Sequence, residues 1–418
     1  MSFWKKFITQ EVEYFNRLSY NGKALITSFA LTGVTDPIIF TFNAFLWRVT
    51  NNIGSLAWYN FAQFVGLPIG FYINGKLLKQ YSPPQLYLTG CVLQGIAVCS
   101  LIFLTQISYI SIIFFGLVFG MSMGLFWANR NFLTLRAIPT ENRIYFSSLE
   151  ANASTITGIL IPLVIGWFLV LGNKAHVYST RQAYEGLSIF AIIILFFIGF
   201  IIRKVSIEYE PITHILLPKA RPFWQKVRAL SFFDGMTNGI SIFIPVLMVL
   251  TFVGMEDALG TIQSVAAIGS ALVIYYVSKK ASKKHRFYIL FINFLLCLIA
   301  GIYFGVLFSA LGTILFFAIT AIASPFGWVG TASIGQDSID TEEGTSPYSH
   351  YAYVFDTELF LNLGRLVSIG IFFLILFLYT QQGALRMSPF LFALFQAPFL
   401  LFAFLVDKEN LKVAQSNT

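Results

Sequence analysis

Seven ionisable side chains lie within long apolar stretches of this sequence, where a charged group is costly unless it faces water or an opposite charge. They are Asp36, Arg130, Glu150, Asp234, Asp356, Glu358 and Arg365. Carboxyl groups in such places can bind and release protons. Guanidinium groups there can bind anions or neutralise nearby carboxylates. The sequence therefore predicts proton and solute chemistry inside apolar helices.

Asp36, in the stretch ALTGVTDPIIF, is the first candidate for carrying a proton. It lies about 12 residues into the first predicted helix, or ~18 Å along its axis, near the middle of a ~30 Å hydrocarbon core. Pro37 follows it and interrupts the helical hydrogen bonding. Because burial penalises the charged form of a carboxyl group, Asp36 could exchange a proton when a cavity opens to either side. The alternative is a structural aspartate that caps a break in the helix.

The stretch GLFWANRNFLTLR places Trp127, Asn129 and Arg130 near the end of the fourth predicted helix. Glu150 lies one to two turns into the fifth helix, which returns from the same side, so its depth is comparable to that of Arg130. An ion pair between them would lower the cost of both charges. Alternatively, Arg130 extends its guanidinium group to the membrane surface along an apolar stem. We expect Trp127, Asn129 and Arg130 to line a solute cavity and Glu150 to be a second candidate for proton coupling.

Glu358, Asn362 and Arg365 share one face of the eleventh predicted helix, because they are spaced at i, i+4 and i+7. Such a polar stripe faces a cavity or another helix rather than lipid. Solute contact and structural pairing both remain open for it, and Glu358 is a third candidate for proton coupling. Asp234 is only about two turns into the seventh predicted helix, so its depth does not match that of Asp36. The other polar residues expected in the cavity are Asn43, Asn60, Gln63 and Asn152.

The composition is that of a membrane protein with many spans. Of the 418 residues, 57% are hydrophobic and 11% are charged, compared with about 25% charged residues in soluble domains. The net charge of +8 resides in short loops, so we expect no nucleic-acid partner. Lipid-facing helix surfaces account for the 46 phenylalanines.

Cofactor and metal sites are not expected. Cys91, Cys99 and Cys297 all fall in apolar runs, and the four histidines show no ligand spacing. An odd number of cysteines in such places argues against a disulfide framework and against a metal site. No GxxxxGK[ST] loop for nucleotides is present, and no catalytic cluster stands out within the helices, so we expect neither ATP hydrolysis nor another enzymatic activity.

Hydropathy predicts twelve transmembrane helices. They are at about 24–47, 52–73, 86–104, 109–131, 144–171, 186–203, 227–252, 257–278, 287–304, 310–335, 351–379 and 388–406. With the N-terminus inside, 21 of the 27 Lys and Arg residues fall in inside segments and 4 in outside loops. This bias predicts that both termini are cytoplasmic.

The chain divides into two halves around the basic segment 204–226, which we interpret as a cytoplasmic linker. The six-helix bundles are 24–203 and 227–406, preceded by residues 1–23 and followed by a cytoplasmic tail, 407–418. Residues 1–23 have the apolar spacing of a helix on the membrane surface, with a disordered tail as the alternative. Matching features in the two halves, such as Asp36 and Asp234 in their first helices, indicate a duplicated unit. The acidic segment 336–350 is predicted to be an inside loop, either paired with basic loops or solvated.

Six plus six helices and a long central loop resemble the major facilitator superfamily (MFS), which implies an all-α fold of two pseudo-symmetric bundles. In the loop between helices 2 and 3, Gly70, Asn74, Gly75 and Lys76 are similar to the family's pattern, except that Asn74 replaces the usual aspartate and weakens the charge relay of this loop. Between helices 4 and 5, the family's acidic-x-basic turn is matched by Glu141 and Arg143. The resemblance makes these six residues candidates for gating. The stretch DTELFLNLGR, 356–365, is similar to a poorly characterised bacterial branch of the family.

These features favour a secondary transporter that works by alternating access, with protons as the coupling ion and a small amphipathic or hydrophobic solute as substrate. We expect export across a bacterial inner (plasma) membrane by a monomer embedded in the lipid bilayer. One alternative is the uptake of a small polar or anionic metabolite bound by Arg130 and Arg365. Another is a non-transporting assembly or receptor protein on a transporter fold, which Asn74 keeps open.

Overall fold

A computed structural model describes residues 15–16, 18–104, 106–138, 143–207, 212, 214–280, 285–343 and 350–416. Within these ranges the chain forms thirteen helices and no strand. The helices are α1 Tyr20–Thr50, α2 Ile53–Leu77, α3 Pro83–Phe103, α4 Tyr109–Ala137, α5 Arg143–Lys174, α6 Thr180–Ile202, α7 Pro222–Ser241, α8 Ile244–Phe252, α9 Glu256–Lys280, α10 Arg286–Leu307, α11 Ala310–Glu343, α12 His350–Leu378 and α13 Gln381–Ser416.

The helices confirm the all-α membrane architecture. Eleven of them are long and apolar enough to cross a bilayer when α7 and α8 are counted as one broken span. The twelfth span, α2, does not meet that hydropathy criterion, because it carries Asn60, Gln63 and Asn74 on buried positions. Polar residues on a spanning helix must face protein rather than lipid, and α2 is packed between α4 and α12.

The two halves of the chain repeat the same set of helix contacts. In the first bundle α1 packs on α5 and α6, α3 packs on α4 and α6, and α2 packs on α4. In the second bundle α7 packs on α12 and α13, α10 packs on α11 and α13, and α9 packs on α11. The bundles meet along two equivalent helix pairs, α5 with α9 and α2 with α12. This correspondence is the structural form of the duplication that the sequence indicates.

Small residues allow α2 and α4 to approach closely. A Cβ atom on Gly120 would lie 2.0 Å from the carbonyl oxygen of Gln63, and one on Gly70 would lie 2.2 Å from that of Met121. Glycines at four-residue spacing, Gly116, Gly120 and Gly124, form a flat stripe on α4 against which α2 packs. Gly70 therefore brings two helices of one bundle together, although the sequence suggested a role in a gating loop.

Several helices extend beyond their predicted ends. Helix α7 begins at Pro222 rather than 227, so Asp234 is deeper in its span than the sequence indicated. Helix α11 continues through the segment predicted as an acidic loop to Glu343, because Ile334, Ser338 and Glu342 present a buried helical stripe to the rest of the bundle. Helix α13 continues to Ser416 through the predicted tail, where the Asn410 side chain donates a 3.1 Å hydrogen bond to the Ser338 hydroxyl oxygen.

We refer to the membrane face that carries the start of α1 and the end of α13 as the terminal face, and to the other as the opposite face. The linker runs along the terminal face, where Ile212 is buried in an apolar cluster with Leu78 and Tyr351. Residues 1–14, including most of the predicted surface helix, lie outside the described residues.

Candidate functional site

A cavity lies within the first bundle and reaches the break between α7 and α8. Its polar lining consists of Asp36 and Asn43 from α1, Tyr59 and Gln63 from α2, Gln94 from α3 and Trp127 from α4. Its apolar lining consists of Ile39, Phe42, Phe119, Met123, Phe126 and Ile242. The cavity volume is about 100 Å³, below the roughly 300–1,000 Å³ of typical small-molecule sites, so a larger solute requires the helices around the cavity to move apart. Four of the residues singled out from the sequence, Asp36, Asn43, Gln63 and Trp127, therefore share one cavity.

Arg130 lies next to this cavity, close to Trp127, and forms an ion pair with Glu150 of α5. The guanidinium carbon is 4.4 Å from the ring centroid of Phe29 and 4.9 Å from that of Trp127. The guanidinium group is thus held between two aromatic faces and a carboxylate, an arrangement that stabilises its charge. The structure places Arg130 in a pairing position instead of directing it to the membrane surface.

Asp36 lies near the middle of α1 and has no ion-pair partner among the described residues, although the charge of Arg130 acts on it. Two tyrosines are close to this part of the cavity. Tyr87 is engaged elsewhere, with its hydroxyl group 3.2 Å from that of Ser28, while Tyr59 lines the cavity with Asp36. A single carboxyl group therefore faces the cavity without a direct opposite charge.

The predicted amide residues differ in position. The Asn60 side-chain amide donates a 3.0 Å hydrogen bond to Oδ1 of Asn43, and Asn60 is fully buried behind the cavity wall. Gln63 donates to the Met123 sulfur atom at 3.2 Å. Asn152 is exposed on α5 and does not line the cavity. Asn152 is two residues after Glu150, and two residues rotate a helix by about 200°, so it lies on the other side of α5 from the residue that pairs with Arg130.

The second bundle carries a corresponding charged cluster. Arg365 donates a 3.1 Å hydrogen bond to Oδ1 of Asn362 and lies within electrostatic range of Glu358 and Asp234. Its guanidinium carbon is also 5.0 Å from the ring centroid of Phe64, which belongs to the first bundle. Asp234 is fixed by a 3.0 Å hydrogen bond from the Asn238 amide. The polar stripe thus faces the bundle interface rather than the cavity around Asp36.

A neutral network joins the two bundles near the terminal face. Asn129 donates a 2.6 Å hydrogen bond to Oδ1 of Asn74, whose amide donates to the Tyr351 hydroxyl oxygen at 3.3 Å. Tyr351 in turn donates to the Phe71 carbonyl at 2.7 Å. Asn129 is fully buried in this network. It therefore does not line the cavity, contrary to the expectation from the sequence. Asn74 therefore connects α2, α4 and α12 without a charge.

The other residues suggested for gating contribute differently. Gly75 lies against Tyr351 and Ile215, where a Cβ atom would be 3.0 Å from either side chain. The Lys76 ammonium group lies 4.4 Å from the ring centroid of Tyr72. Glu141 lies outside the described residues, and Arg143 begins α5 but its side chain is outside the description.

A charged network that the sequence did not reveal joins the bundles at the opposite face. Arg48 of α1 binds Glu256 of α9 through two hydrogen bonds, of 2.9 Å and 3.0 Å. The Tyr184 hydroxyl group of α6 donates to the same carboxylate at 3.0 Å. Glu256 is 2% exposed, whereas Arg48 is 37% exposed. Since 208 residues separate the two charges in sequence, no local pattern could have paired them.

Asp356, one of the seven charges within apolar stretches, has a structural role. It accepts two 2.8 Å hydrogen bonds from Arg228 and one of 2.7 Å from the Trp224 indole nitrogen. This fully satisfied group fastens α12 to the start of α7. A second structural network ties α10, α11 and α13 together, because Arg286 binds both Asp337 and Asp407 at 2.9 Å. Asp337, from the predicted acidic loop, is thus paired with a residue that adjoins a basic loop.

The sequence profile of the Major Facilitator Superfamily matches residues 24–356, from the first helix of the first bundle into the fifth span of the second. The chain belongs to this superfamily. A relative, the uncharacterised protein YqgE of Bacillus subtilis (strain 168), is 26% identical over 352 residues, which cover 83% of this chain and 80% of the relative. An uncharacterised protein encoded in the sodM 3' region of Geobacillus stearothermophilus is 24% identical over 137 residues, covering 33% of this chain and 64% of that protein.

Solved MFS structures share the fold at low sequence identity. A bacterial homologue of the iron transporter ferroportin, in an inward-facing state, has a TM-score of 0.70 with 12% identity and covers 93% of this chain and 98% of its own. The D-xylose–proton symporter gives 0.64 with 13% identity, covering 93% and 96%. The E. coli fucose:proton symporter FucP gives 0.59 with 14% identity, covering 92% and 98%. At these identities the likeness establishes the transporter fold only.

Proposed function

We propose that this protein is a proton-coupled secondary transporter that exports a small amphipathic solute by alternating access. The observation that carries the proposal is the cavity in which Asp36 lies without an ion-pair partner, near the middle of a spanning helix. A carboxyl group in such a place can hold a proton or a solute charge, but not both at once. Proton movement and solute movement are thereby coupled at a single site.

The contacts between the bundles support alternating access. Near the opposite face, Phe42 and Leu46 of the first bundle belong to one apolar core with Phe243, Leu247 and Phe372 of the second. Together with the Arg48–Glu256 pair, this core closes the opposite face. We therefore propose that the cavity opens toward the terminal face in this state. The bias of basic residues toward the terminal-face segments supports a cytoplasmic location for that face in a bacterial inner membrane.

The remaining candidates for coupling are less well placed to carry the proton. Glu150 is paired with Arg130. Glu358 faces Arg365 at the interface between the bundles and does not line the cavity. Asp36 is accordingly our proposed proton carrier. Glu150 and Glu358 would become the alternatives if an Asp36 variant still moved protons.

Two other functions have weaker structural support. Uptake of an anionic metabolite would need an arginine that is free to bind it, whereas Arg130 is paired with Glu150 and Arg365 lies near two acids. A non-transporting role was suggested by Asn74, which lacks the family's usual charge. In the structure Asn74 connects the bundles by neutral hydrogen bonds, so the loss of the charge does not leave the position without a function.

Reconstituted liposomes with a trapped pH dye provide the test. An inward proton gradient is imposed and a panel of amphipathic cations, organic anions and sugars is added. We expect solute-dependent proton movement in the wild type and in Asp234→Asn, the matched aspartate of the second bundle, and none in Asp36→Asn. Equal proton movement in Asp36→Asn would contradict the assignment of Asp36. Absence of proton movement with every solute would contradict the proposal of proton coupling.

A further inference from the structure

The charges around the cavity point to the class of solute that it takes. Three ionisable groups lie at or beside the part of the cavity that Asp36 lines, namely Asp36 itself, Arg130 and Glu150. The neutral side chains of Tyr59, Tyr87 and Cys91 are close to them. Two carboxylates and one guanidinium leave a single net negative charge. We infer that Glu150 positions Arg130 away from Asp36, and that the cavity thereby selects a singly charged organic cation. This inference rests on the proposed function and deepens it.

Arg130 is close to two carboxyl groups, those of Glu150 and Asp36. A guanidinium group between two carboxylates could pair with either one, and its choice decides which carboxylate remains available. In the structure it is paired with Glu150 and enclosed by the ring faces of Phe29 and Trp127. Its side chain is 22% exposed and that of Glu150 is 26% exposed. Neither side chain is fully buried in the protein, so the pair is not sealed within the helix packing.

Asp36 is the carboxyl group that remains available when Arg130 is paired with Glu150. Because Arg130 is occupied, Asp36 lacks a direct cationic partner within the described residues. The Tyr87 hydroxyl group is 3.2 Å from that of Ser28 and makes no hydrogen bond to Asp36 among the described residues. An ionised carboxylate in an apolar cavity is costly unless it is paired. A cationic solute supplies that missing charge.

The cavity walls are rich in aromatic side chains. Phe42, Tyr59, Phe119, Phe126 and Trp127 contribute five aromatic rings to the lining. Aromatic faces attract cations through the ring quadrupole, most strongly where water is excluded. They offer no comparable attraction to an anion. An acid and several aromatic rings in one cavity thus favour an organic cation with apolar substituents over a sugar or an anionic metabolite.

A matched pair of probe ions tests the charge preference without any transport measurement. Tetraphenylphosphonium and tetraphenylborate have almost the same shape and opposite charge. Binding to the purified protein in a nonionic detergent is measured by calorimetry and by quenching of tryptophan fluorescence. We expect saturable binding of tetraphenylphosphonium and no saturable binding of tetraphenylborate. Equal binding of both ions, or tighter binding of the borate, would overturn the inference.

Variants then test the role of Glu150. Asp36→Asn should weaken tetraphenylphosphonium binding by at least about tenfold. Glu150→Gln should weaken it as well, because Arg130 is released and can pair with Asp36. Arg130→Gln combined with Glu150→Gln should restore binding, because Asp36 is again unpaired and the net charge is again negative. Glu185→Gln, which removes an exposed ion pair with Arg181 in α6, is the control and should leave binding unchanged.

The double variant separates positioning from simple damage to the fold. If Glu150 only stabilised the helices, removing Arg130 as well would not restore affinity, and a failure of rescue in a folded double variant would overturn its positioning role. The outcome is also separable from the proposed function. Proton-coupled movement of another solute without tetraphenylphosphonium binding would reject the cation class alone. Binding with the expected charge dependence but no proton movement would reject proton coupling alone.

Discussion

The two bundles are held together by different chemistry at the two membrane faces. At the opposite face, Arg48, Glu256 and Tyr184 form a charged network around a carboxylate that is 2% exposed. Near the terminal face, Asn74 and Tyr351 join α2 to α12 through neutral hydrogen bonds. Removing one partner from a buried ion pair leaves an uncompensated charge, whereas removing one neutral group costs less. The comparison indicates that the opposite face is the more firmly closed one in this state.

Measurements of two distances can test this comparison. Spin labels at Val177 and Leu311, both exposed and on different bundles, report on the opposite face. Labels at Lys79 and Lys412, also exposed, report on the terminal face. The native cysteines are buried, so labelling is directed to the introduced sites. We call these the opposite-face distance and the terminal-face distance.

Arg48→Gln should have the largest effect. It leaves the Glu256 carboxylate buried with only Tyr184 and the start of α9 to stabilise it. We expect the closed state to lose about 3–5 kcal/mol, seen as a large population with a longer opposite-face distance. An unchanged distance distribution would show that the ion pair does not hold this face closed.

Glu256→Gln should have a smaller effect in the same direction. The cation that remains, Arg48, is 37% exposed and can reach water, so its charge is not stranded. We expect a loss of about 1 kcal/mol and a modest population with a longer opposite-face distance. If this variant opened the face more than Arg48→Gln does, the asymmetry argued from burial would be wrong.

Tyr184→Phe and Tyr351→Phe compare one hydroxyl group at each face. Each substitution removes hydrogen bonds but no charge, so each should cost about 0.5–1.5 kcal/mol. Tyr184→Phe should lengthen the opposite-face distance slightly, and Tyr351→Phe should lengthen the terminal-face distance. Movement of both distances in either variant would mean that the two contacts are not independent.

Lys174→Gln should have the smallest effect. The Lys174 ammonium group is 3.9 Å from the Asp257 carboxylate across the bundle interface, but the lysine side chain is 63% exposed. Exposed pairs of this kind contribute about 0–1 kcal/mol and are screened by salt. We expect no measurable change in either distance. A clear opening of the opposite face would show that this peripheral pair matters more than its exposure indicates.

The sequence was most informative where a single helix carried the signal. Long apolar runs in the sequence were enough to find the spans, although buried amide side chains lower the hydropathy of α2. The depth of Asp36 within α1 followed from counting residues along a predicted helix. The pairing of Arg130 with Glu150 could also be predicted, because consecutive spanning helices run in opposite directions and both residues lie near the same membrane face. In each case the position of the residue depends on one helix or on two consecutive helices, so counting residues along the predicted helices was sufficient.

The sequence was least informative where contacts cross between distant helices. Asn129 was expected in the cavity, yet its rotation about α4 directs it to Asn74 on α2. Arg48 and Glu256 looked like ordinary residues near loop ends, because their partnership exists only after the bundles have docked. The extension of α11 to Glu343 depends on burial against its neighbours, which hydropathy does not record.

We propose that the two faces open alternately under the control of Asp36. This is tested by recording both distances on the protein in liposomes as the pH is changed. We predict that the opposite-face and terminal-face distances change in opposite directions, and that Asp36→Asn abolishes this response while Asp234→Asn retains it. Distances that change together would contradict alternating access, and a pH response that persists unaltered in Asp36→Asn would contradict control by Asp36.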